Sequence, residues 1–71
     1  MKPQDLQPFI DHDVEITLSD GSRLAGHFDD NEDGTIAFWT TQLRSMPPQT
    51  IVNFGAASDI DYNDIASVRL L

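Results

Sequence analysis

Residues 14–28 read Val-Glu-Ile-Thr-Leu-Ser-Asp-Gly-Ser-Arg-Leu-Ala-Gly-His-Phe, two alternating apolar rows on either side of an Asp-Gly turn signal. Successive side chains on a strand point to opposite faces, so Val14, Ile16 and Leu18 share one face while Glu15, Thr17 and Ser19 take the other. The apolar row resumes at Leu24, Gly26 and Phe28 after Asp20 and Gly21, residue types that a tight hairpin favours. The stretch therefore predicts a β-hairpin with strands near 12–19 and 22–29. Gly26 falls in the middle of the second strand, where a glycine often marks the bend or bulge that curls a sheet toward closure.

Outward from this hairpin the signals are shorter. Pro3 suits the first turn of a helix, and Leu6, Phe9 and Ile10 fall on one face at spacings of three and four, so residues 3–10 predict a short helix. Pro8 removes a backbone donor and limits it to one or two turns ending near Asp11, laid over a barrel mouth. Asn31, Glu32, Asp33 and Gly34 supply a second turn, and residues 35–42 read as a third strand with Ile36 and Phe38 inward and Ala37 and Trp39 on the other face. Pro47 and Pro48 donate nothing to a ladder, so residues 44–49 read as a loop before a fourth strand at 50–54. Small residues at 55–59, then Ile60, Tyr62 and a tight turn at Asn63 and Asp64, lead to a last strand at 66–71 with Val68 and Leu70 inward. The expectation is one domain over residues 1–71: a helix at 3–10, then a strongly bent antiparallel barrel of five strands over 12–71.

Seventy-one residues bury a small core, and without cysteine neither a disulfide nor a thiolate metal site can reinforce it. Sheet closure and self-association are the remaining devices, which makes a homo-oligomer the expectation. The absence of cysteine fits a reducing cytoplasm, and with neither an apolar leader nor a long apolar run the expectation is a cytoplasmic chain away from membranes. Twelve acidic residues against four basic ones give a formal charge of −8, which repels phosphate backbones and favours basic partners. No cofactor motif is present. His12 and His27 stand without a second ligand at a useful spacing, and neither a Gly-x-Ser-x-Gly elbow nor a glycine-rich phosphate loop occurs, so the chain does not read as an enzyme.

The first half, with Val14-x-Ile16-x-Leu18-x-Asp20-Gly21 followed by Leu24-x-Gly26-x-Phe28, resembles the first motif of the Sm-like variety of the SH3-like barrel. The segment Ile60-Asp61-Tyr62-Asn63-Asp64-Ile65-Ala66-Ser67-Val68 resembles a shortened second motif. This resemblance implies a five-stranded barrel behind a short helix, a tendency to self-associate and, as one alternative, an RNA-binding ring subunit using Arg23, Arg44, Asn63 and Arg69. Family members present a cationic donor to RNA from the second motif; here Asn63 and Asp64 occupy those positions and the preceding loop is acidic.

Two further sets of residues are candidates. Asp29, Asn31 and Asp33 with Gly34 match the first positions of a calcium loop, but the twelfth position is Thr40 and the flanks alternate as strands; the other reading is an Asp/Asn-rich hairpin turn with Gly34 at positive φ. Trp39 lies on the face opposite Ile36 and Phe38, beside Thr41 and near Met46, Pro47 and Pro48. Either the helix or the proline loop covers it, or it anchors a protein partner. The leading functional expectation is a non-catalytic interaction module that associates with itself and binds a partner protein through this apolar, acid-rimmed surface.

Overall fold

The computed structural model describes residues 1–41, 48–53 and 59–71. The chain opens with helix α1 (Pro3–Leu6), which tightens into a 3-10 turn over Gln7–Phe9 where Pro8 cannot donate. The Asp5 carboxylate accepts from the Lys2 amide at 2.9 Å and closes the helix start. Strands β1 (Asp13–Leu18), β2 (Arg23–Asp30), β3 (Ile36–Thr40), β4 (Gln49–Val52) and β5 (Ile60–Asp61) follow. A 3-10 turn over Tyr62–Asp64 then delivers β6 (Ile65–Leu70).

The sheet order is β5-β4-β3-β2-β1-β6, curled into a half barrel. Six strands form instead of the expected five, and the sheet is not wholly antiparallel, because β5 runs parallel to β4 through Ile51↔Ile60 and Val52↔Asp61. Two residues show no alternation, which hid β5 from the sequence. The expected loop at 44–49 and the small-residue turn at 55–59 lie largely outside the described residues, and β4 begins at Gln49, one residue before the predicted start.

The hairpin forms as predicted, and its ladder sets the apolar residues of one strand against those of the other. Leu18 N–H donates to Ser22 O, and counting outward pairs Ile16 with Leu24, Val14 with Gly26 and Asp13 with His27. Val14, Ile16, Phe28, Ile36 and Phe38 are fully buried, with Leu6, Ile51, Ile60, Tyr62 and Ile65 completing the core and Phe9 and Ile10 against it. The Phe28 and Phe38 rings meet edge to face at a centroid distance of 5.4 Å, a geometry worth ~0.5–1.5 kcal/mol beyond simple burial. The N-terminal ammonium of Met1 donates to Tyr62 O and Ile65 O at 2.7 and 3.0 Å, tying the first residue to the turn before β6.

Gly26 marks no bulge. Both its ladders run through without a register shift. A Cβ there would lie 2.3 Å from Trp39 O and 2.6 Å from the Phe38 ring, so glycine is required because β3 and its aromatic ring come so close. The irregularity sits instead between β1 and β6, where the register shifts across Thr17 and Leu18 and Ala66 becomes the extra residue. Leu70 also departs from expectation. It faces the core side opposite Val14, yet β6 is an edge strand and Leu70 remains 56% exposed, with Leu71 at 65%.

Candidate functional site

Alternation on β2 and β3 sends Phe28 and Phe38 inward and therefore sends His27 and Trp39 outward. Asp13↔His27 and His27↔Trp39 are cross-strand neighbours, so three strands present Asp13, His27 and Trp39 as one row across the outer face. Gln49 pairs with Phe38, and continuing that register brings exposed Pro48 across from Trp39. Trp39 is 47% exposed, so it is not buried within the subunit. Thr41 extends the same face and is pinned by its own N–H and hydroxyl, which both donate to Ala25 O. Met46 and Pro47 lie outside the described residues.

His27 is the centre of the acidic side of this row. Its Nδ1 lies 3.0 Å from Asp13 Oδ1, and its Nε2 lies 3.3 Å from Asp29 Oδ1. The Asp13 hydrogen bond raises the His27 pKa above its ordinary 6.5, opposed by desolvation and helped by the charges of Asp29, Asp13 and Asp11. Asp11, in the left-handed region at φ 66°, closes the group, so ligand atoms of Asp11, His27 and Asp29 lie within 4.8 Å of one another. Spacing along the chain gave His27 no second ligand; the fold brings three carboxylates to it. The hairpin register held the missing signal, since counting outward from Leu18 and Ser22 puts Asp13 against His27.

The calcium-loop candidates make different contacts. Asp29 turns toward His27, whereas Asp33 accepts from the Thr35 amide at 3.0 Å and from its hydroxyl, and Asn31 Nδ2 donates to Thr35 Oγ1 at 2.9 Å. Gly34 adopts φ 86° and its N–H donates to Asn31 O. This is the hairpin turn, with Asn31 and Asp33, two of the three calcium-donor candidates, bonded to Thr35 within it. Among the cations, Arg69 Nε donates to Glu15 Oε1 at 2.9 Å, Arg23 is exposed at the start of β2, and Arg44 is outside the described residues. Asn63 lies in the turn before β6, its N–H donating to Asp61 Oδ1. His12 is exposed in the turn before β1.

The geometry thus defines a small β protein with a half-exposed tryptophan beside a carboxylate-histidine group. No helix among the described residues is long and apolar enough to cross a membrane. Comparisons with protein-family models, curated proteins and solved structures return no match.

Proposed function

We propose that this chain is a non-catalytic interaction module of the Sm-like or SH3-like type, which associates with itself and docks a basic partner protein on the outer face of β1–β3. The carrying observation is Trp39, 47% exposed in a row with His27 and Asp13. A tryptophan left half in water on a rigid sheet offers a large contact area with little side-chain entropy to lose, which is why such residues dominate binding energy at interfaces. Asp11, Asp13 and Asp29 on one flank give the surface its sign and favour lysine or arginine opposite it. A charge of −8 over the whole chain adds long-range steering of a cationic partner.

A synthetic peptide of alternating lysine and leucine serves as the probe. Calorimetric titration should show binding by the natural chain that weakens several-fold as salt is raised to screen the carboxylates, and little binding by Trp39→Ala. Equal affinity for both chains would remove Trp39 as the anchor; salt-independent binding would remove the acidic rim.

A further inference from the structure

We infer that β6 is the self-association edge, pairing antiparallel with β6 of a second copy about a two-fold axis. The inference rests on the self-association half of the reading above, and it identifies the edge and the register. A sheet has two edges, and here they differ sharply. The β5 edge is two residues long, one of them Asp61, and is flanked by Asp59 and Asp64, the kind of short, charged strand that discourages pairing. The β6 edge is six residues long, and all twelve acidic side chains of the chain lie at or before Asp64. Residues 65–71 contain no proline and no lysine, and their one charge, Arg69, is held by Glu15. An edge of this length without a blocking charge is a template for another strand.

The backbone groups that such a strand would use can be assigned. Leu71 N–H donates to Asp13 O, and β1 pairs with β6 through Glu15↔Arg69 and Thr17↔Ser67, so alternate residues 67, 69 and 71 direct their backbone groups at β1. Val68 and Leu70 then direct theirs away from the sheet. Met1 already occupies Ile65 O. A two-fold axis through Val68 places Val68 opposite its copy, Leu70 opposite Ala66 and Arg69 opposite Ser67. The neighbouring two-fold register would set Arg69 against Arg69, a like-charge pair that costs stability. In the favoured register Leu70 leaves water from the core-facing side of the sheet, and a 71-residue domain without disulfides gains buried surface it otherwise lacks.

Sedimentation equilibrium on the full chain and on Leu70→Lys, with amide hydrogen exchange on the natural chain, tests this. The natural chain should show a mass twice the 7.9 kDa of one copy at high concentration. Leu70→Lys, with an unchanged far-ultraviolet spectrum, should dissociate about tenfold more readily or worse, since each copy loses a buried leucine contact. Val68 and Leu70 amides should be protected in the associated state and exchange freely on dilution. A natural chain monomeric at every concentration overturns self-association altogether. A dimer or larger ring that is indifferent to Leu70→Lys, with those two amides unprotected, overturns only the β6 assignment and leaves association through another surface.

Discussion

The two faces of the β2–β3 hairpin carry the same number of strands and nearly the same sequence density, yet they are built to opposite rules. On the inner face Gly26, Phe28 and Phe38 are buried, with two aromatic rings in contact and a glycine leaving room for one of them. On the outer face His27 and Trp39 stand side by side, one between carboxylates and the other half in water. The inner face is specified by volume: each atom there is constrained by its neighbours, so substitutions are paid in stability. The outer face is less tightly constrained: Ala37 is buried there, but Trp39 stays half in water and is free to serve a contact.

That contrast predicts a graded series. Phe38→Ala should have the largest effect, about 3–5 kcal/mol by loss of a buried aromatic, enough to leave a domain of this size mostly unfolded in urea titration. Gly26→Ala should follow at roughly 1–3 kcal/mol, because the new methyl meets the β3 backbone as well as the Phe38 ring and neither can move without disturbing the ladder. A variant that folded at natural stability would show the approach of β3 to be looser than described. Trp39→Ala should lower the unfolding free energy by no more than about 1 kcal/mol while abolishing peptide binding, and a large loss of stability would merge the two faces into one.

The smallest effect is electrostatic. The fold raises the His27 pKa, so the folded chain holds that proton more tightly than the unfolded chain does. The resulting stabilisation is complete below the ordinary value of 6.5 and is lost as pH rises through the raised one. His27→Gln should therefore flatten the fall of melting temperature over that interval; an unchanged slope would place the titration elsewhere. Affinity for the cationic peptide should move the other way and increase across the same interval, because deprotonation leaves Asp11, Asp13 and Asp29 without a compensating charge.

Much of the inner face was legible in the sequence. Alternation at Val14, Ile16, Leu24 and Phe28 fixed the hairpin, and the same period separated Phe38 from Trp39. What escaped depended on neighbours distant in the chain. The need for Gly26 comes from the Phe38 ring and Trp39 carbonyl on another strand, a close approach that its position in the sequence did not show. The carboxylates around His27 come from the turn before β1, from β1 and from β2, and only the register unites them. Leu70 carried the right periodicity for the core, but periodicity names a face and says nothing of whether a further strand covers it. The two-residue β5 was too short to carry any period.

Because the chain contains a single tryptophan, its fluorescence reports on the outer face alone. The most direct measurement is quenching of Trp39 by caesium and by iodide, with and without saturating lysine-leucine peptide. Relative to a free indole, the free chain should be quenched more strongly by caesium, drawn to the acidic rim, than by iodide, and the peptide should shield it from both. A tryptophan inaccessible in the free chain, or equally quenched with the peptide bound, would contradict the assignment of this face as the docking surface.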